Sequence, residues 1–74
     1  MTKEESKFLV SLGEAISGRR KDLNISQVEM AKKVGIARTH LYRIEKGSNP
    51  TTIITLRRIA KELRTNLADI IIVE

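Results

Sequence analysis

The sequence predicts an all-α fold, a compact bundle of five short helices forming one domain over residues 1–74. Apolar residues recur at helical spacing, and no segment shows clean period-2 alternation. Aromatics make up only 3% of the chain, so the core must be built from Leu, Ile, Val, Ala and Met, which suits packed helices. With no cysteine and a single histidine, neither a disulfide nor a metal can staple these 74 residues. A chain this short is near the lower limit for a self-supporting core, so aliphatic packing has to suffice.

The first helix is expected over residues 4–22, with Phe8, Leu12 and Ile16 on one face. Gly13 and Gly18 weaken it by about 1 kcal/mol each relative to Ala. "NIS" then breaks the pattern, and Ser26 with Glu29 forms a capping box that starts a second helix running through Val34. Val28, Met30, Ala31 and Val34 are expected to include its inward face. Gly35 ends it, supplying the positive φ of a tight turn. A third helix begins near Ala37 and stops by Gly47. "GSNP" is a loop, and Pro50 followed by Thr51 or Thr52 makes a helix start. Ile53, Leu56, Ile59, Ala60 and Leu63 give the stripe of a fourth helix. Asn66 caps a short fifth one, with Asp69 at its third position.

The net charge of +5 is concentrated in the middle of the chain. Residues 19–46 hold eight basic residues against three acidic ones, which accounts for the whole excess. A clustered basic surface on a small domain is the footprint of a polyanion binder. No apolar run approaches the ~20 residues of a membrane span. "MTKEESKF" is too polar and acidic for a secretory signal. A soluble, cytoplasmic protein is the expectation.

Residues 27–46 satisfy the demands of a helix-turn-helix in one register. Ala31 is the small residue where the two helices meet, Gly35 supplies the turn and Ile36 plugs it. Met30 and Val34 anchor the first helix inward, and Leu41 and Ile44 anchor the second. Between those anchors the second helix presents Arg38, Thr39, His40, Tyr42 and Arg43, a set of hydrogen-bonding tips without an acid.

"SQVEMAKKVGIARTHLYRIEKG", followed by "NP…TLRRIAKEL…LADII", resembles the phage repressor and Cro-type (XRE) family of helix-turn-helix regulators from about Leu12 to Ile71. The resemblance implies a lambda-repressor-like DNA-binding domain whose third helix enters the major groove of double-stranded DNA, with a homodimer reading a two-fold operator. It implies base reading by Arg38, Thr39 and Arg43, where an arginine can donate two bonds to guanine. Tyr42 stands beside them, as a further base-reading residue or as half-buried packing. Gln27 matches the family's phosphate clamp, with Arg19, Arg20, His40 and Lys46 as further phosphate contacts. Arg20 and Glu45 match a family ion pair between the first helix and the end of the third. The chain departs from the family at Ala37, where a capping Ser or Thr is common, and at Arg64, where Gly is frequent. Its Pro50 also comes one residue earlier than usual.

The tail "LADIIIVE" places Ile70, Ile71, Ile72 and Val73 in succession, more than one helix can bury in so small a domain. Residues 67–74 are therefore expected to form a dimer or partner contact. The expected form is an isologous homodimer through Leu67, Ile71 and Val73, with Phe8 and Leu9 contributing. A short strand paired across the two-fold is the alternative.

The function expected is sequence-specific, double-stranded DNA binding by a transcription regulator, a dimeric repressor. The alternatives are an antitoxin or restriction-modification controller of the same fold, with a toxin or other regulator as protein partner, or a module that bridges transcription proteins. An enzyme is not expected: there is no P-loop, no metal-ligand spacing and no nucleophile beside a base. No cofactor is implied.

Overall fold

The first helix starts from a reciprocal box that the apolar stripe does not announce. The Thr2 hydroxyl accepts from the Glu5 N–H at 3.1 Å, and the Glu5 carboxylate accepts from the Thr2 N–H at 2.7 Å. In the computed structural model, which describes residues 1–71, α1 then runs over Lys3–Asp22. It is followed by α2 (Gln27–Val34), α3 (Arg38–Lys46), α4 (Ile53–Glu62) and α5 (Leu67–Ile70), with no strand among the described residues.

The caps explain most of these boundaries. Ser26 Oγ accepts from the Glu29 N–H at 3.1 Å, Thr52 Oγ1 from the Thr55 N–H at 3.1 Å, and Asn66 Oδ1 from the Asp69 N–H at 3.1 Å. The box expected at Ser26 is only half formed, because the Glu29 carboxylate lies 3.8 Å from Lys33 instead of returning to Ser26. Gly35 (φ 83°) and Gly47 (φ 71°) end α2 and α3 in the left-handed region. Arg64 takes φ 58° after α4, where a side chain costs roughly 1–2 kcal/mol. The Thr65 N–H still bonds the Ala60 carbonyl at 3.0 Å, so the helix end is closed despite that strain.

α1 packs across α3, α2 lies on α3 and α4, and α5 closes the bundle on α4 and α1. The fully buried large side chains are Ile16, Met30, Leu41, Ile59, Leu63 and Ile70. Each contributes roughly 1.5–3 kcal/mol of burial, and every helix supplies at least one directly or at its cap. Val28 and Ile53 do not join them, each being 59% exposed. Val28 stands two residues before Met30, off the stripe that Met30, Ala31 and Val34 share. Ile53 is the first residue of α4, outside the stretch from Leu56 onward that α2 and α5 cover. Phe8 is likewise exposed, one turn beyond the covered part of α1.

Candidate nucleic-acid interface

At about 100° per residue, the nine residues of α3 divide into two sides. Leu41, Ile44 and Glu45 are buried, while Arg38, Thr39, Tyr42, Arg43 and Lys46 are exposed and contiguous on the opposite side. His40 sits at the border, partly covered. The sequence therefore brings its base-reading candidates together on one outward surface. Ala37 precedes the helix in an extended conformation with no side-chain cap. The first-turn N–H groups of α3 consequently lack a side-chain acceptor at their N-cap, and the positive end of the helix stands at the same surface as Arg38 and Thr39.

A buried ion pair fixes this helix from behind. Arg20 donates from Nε to Glu45 Oε2 at 2.7 Å and from Nη2 to Glu45 Oε1 at 3.0 Å. Its third bond, from Nη1 to the Ile25 carbonyl at 2.7 Å, ties in the loop before α2. Gln27, the first residue of α2, donates from Nε2 to Glu45 Oε1 at 3.0 Å. One carboxylate thus joins α1, α2 and α3, leaving the second Nε2 hydrogen of Gln27 for an outside acceptor. Burial pushes the Glu45 carboxyl upward, but bonds from Arg20 and then Gln27, with the Arg20 charge, outweigh it and hold the group below the ordinary carboxylate range.

The backbone approach of α1 to the end of α3 is equally close. A methyl group on Gly13 would lie 2.4 Å from the Glu45 carbonyl oxygen and 2.6 Å from that of Ile44. One on Gly47 would lie 2.6 Å from Val10 Cα. The sequence marks both glycines, but only as a weak point in α1 and as a helix end; their dovetailing against another element has no local signal. The Lys46 ammonium stands 5.7 Å from the centre of the Tyr42 ring. Both line a cleft between α1 and α3 together with Arg20, Lys21 and Gln27.

The remaining candidates lie elsewhere. Arg19, although exposed, directs its Nε to the Leu63 carbonyl at 3.4 Å, at the end of α4 and not toward α3. Leu67 and Ile71 are half-buried against the core, and Val73 lies outside the described residues. Among the described residues no cluster of His, Cys, Asp or Glu could hold a metal, and no helix is long and apolar enough to cross a membrane.

Comparison with known proteins places this geometry in a wider group. The helix-turn-helix family profile matches residues 16–70. The chain is 37% identical over 60 residues to an uncharacterized HTH-type transcriptional regulator of Methanothermobacter thermautotrophicus, spanning 80% of this chain and 87% of that protein. It is 45% identical over 49 residues to the ImmF control region 10 kDa protein of Bacillus phage phi105, spanning 66% of this chain and 54% of that protein. Among solved structures, the restriction-modification controller protein C.AhdI from Aeromonas hydrophila superposes with a TM-score of 0.81 at 21% identity. That likeness, one of fold, covers 84% of this chain and 94% of the other.

Proposed function

Because this chain belongs to the helix-turn-helix family of DNA-binding transcription regulators, we propose that it acts as a homodimeric repressor reading a two-fold operator, with α3 in the major groove. Arg38 and Arg43 offer their guanidinium forks to guanine O6 and N7, each pair worth roughly 1–3 kcal/mol of discrimination. Thr39 and Tyr42 lie between them on the same side of α3. Gln27 presents its free amide hydrogen to a phosphate, with Lys46 and His40 flanking. Arg20 acts chiefly through Glu45, since its guanidinium is nearly covered. Arg19 is the weakest of the phosphate candidates because its Nε faces Leu63. The dimer forms through Leu67, Ile71 and Val73, which would set the two recognition helices one turn of DNA apart.

What supports this reading is the sidedness of α3: five exposed, acid-free polar side chains oppose a buried side pinned by the Arg20–Glu45 pair. The role read here is one of binding, as in the family of DNA-binding regulators to which the chain belongs. A protein in this role works where the DNA it reads is, and the cytoplasm is the location this reading assigns.

Competition binding tests the base-reading roles. Arg38→Ala and Arg43→Ala are expected each to lower the preference for the selected site over random duplex by roughly 5- to 150-fold, with affinity for random duplex little changed. Equal loss on both duplexes would show that these arginines only attract phosphate.

A further inference from the structure

We propose that α1 carries a second stretch of phosphate-binding surface, through Lys3 and Lys7, beyond the end of the recognition helix; this rests on the DNA-binding reading above. Two shallow depressions meet at Val10. One lies between α1 and α3 and is lined in part by Lys21, Gln27 and Lys46. The other lies along α1 itself and is lined by Lys3, Ser6, Lys7, Val10 and Ser11. They share Val10, and Lys3 and Lys21 at their far ends stand about 27 Å apart along α1 at 1.5 Å per residue.

The Val10–Gly47 contact fixes where the two depressions run. The Val10 backbone is seated directly on Gly47, the residue that ends α3. The two turns of α1 before Val10 therefore continue past the end of α3, and residues 1–8 are all exposed. Charge is sorted around α1 as well. At about 100° per residue, Lys3, Lys7 and Lys21 fall on the side of the depressions with Val10, Glu4 falls at its edge beside Ser11, and Glu5 falls away from it. Glu5 is in addition held by Thr2. Glu14 is the single unpaired acid lining the depressions, set between the two lysine groups.

One DNA strand carries a negative charge per ~3.4 Å of axis, so a basic stretch this long runs beside several phosphates. Serine hydroxyls at Ser6 and Ser11 add neutral donors of the kind that meet phosphate oxygens. The ligand is the sugar-phosphate backbone flanking the bases read by α3, and the contribution is sequence-blind.

Titration of the full chain onto duplex DNA at several salt concentrations between about 50 and 200 mM tests this. Lys3→Gln with Lys7→Gln is expected to make the dependence of log affinity on log salt shallower by about two, at ~0.9 per phosphate contact, with site preference intact. Lys32→Gln with Lys33→Gln removes the same charge from α2 and is expected to leave the slope unchanged. All four side chains are exposed, and circular dichroism verifies that both variants fold. A wild-type slope in the Lys3/Lys7 variant overturns the proposal. So does an equal loss in the Lys32/Lys33 variant, which would mean that net charge alone matters. Slopes can be read on any duplex, so a wild-type chain without site preference sinks the operator reading and not this one.

Discussion

Two glycines in one helix should respond to alanine with opposite signs. At Gly18 nothing lies within 4 Å of an added methyl group, so alanine there brings only its helix propensity. Gly18→Ala is expected to stabilise the fold by about 0.5–1 kcal/mol. The same propensity gain applies at Gly13, but there the methyl meets backbone: the Glu45 oxygen at 2.4 Å, the Ile44 oxygen at 2.6 Å and the Glu45 carbonyl carbon at 2.7 Å. Ordinary contact of a methyl carbon begins at 3.4 Å, so against a 2.4 Å approach α1 and α3 must part by about 1 Å or distort. Overpacking of this kind costs typically 1–3 kcal/mol, occasionally more, and here no flexible side chain can yield. Separation would also stretch the 2.7 Å Arg20–Glu45 contact across the same interface. Because only backbone is met, the clash belongs in the upper half of that range, about 2–3 kcal/mol, and after the propensity gain is subtracted Gly13→Ala should lose about 1–2.5 kcal/mol. For a domain of this size 1 kcal/mol moves Tm by about 4–8 °C, so thermal unfolding followed by circular dichroism should show Gly13→Ala well below the wild type and Gly18→Ala above it. A Gly13→Ala protein as stable as the wild type, or the two variants shifting in the same direction, would refute the close docking of α1 on α3.

Other consequences are smaller or depend on conditions. The folded-state pKa of Glu45 is lowered, so its contribution is fully present above the ordinary carboxylate pKa near ~4.3 and is lost as pH falls through the folded value. Glu45→Gln should therefore cost about 3 kcal/mol at pH 7, and urea unfolding should show that difference shrinking below about pH 4; a pH-independent gap would contradict the pairing. Ala37→Ser supplies the cap that α3 lacks and should add roughly 0.5–2 kcal/mol in the same assay, whereas no gain would mean that the helix start is held by something else. Arg64→Gly relieves a left-handed side chain at φ 58°. After the entropy of glycine in the unfolded chain is subtracted, Tm should rise by a few degrees, and a fall would show that the Arg64 side chain contributes more than its strain removes.

The helix-turn-helix was legible because its signals are local. Ser26, Gly35, Thr52 and Asn66 act on N–H groups or dihedrals within a few residues of themselves, and the helical period alone decides which tips of α3 point outward. Periodicity failed at Val28 and Ile53, where a residue near the stripe lies off its centre or past the covering helix. The contacts behind the site are non-local and left little trace. Nothing near Gln27 announces a bond to Glu45, eighteen positions on. Nothing near Arg19 announces Leu63, and Gly13 reads as a defect until α3 is set against it. The Arg20–Glu45 pair is the exception, expected only through resemblance to the phage repressors and present in the fold at 2.7 Å.

The most direct test of the central claim is selection of bound duplexes from a random DNA library, repeated at two salt concentrations. A homodimer reading through α3 should recover a two-fold site with half-sites about 10 bp apart, centre to centre, at both. Retention without sequence preference, vanishing at the higher salt, would contradict it and leave only phosphate attraction.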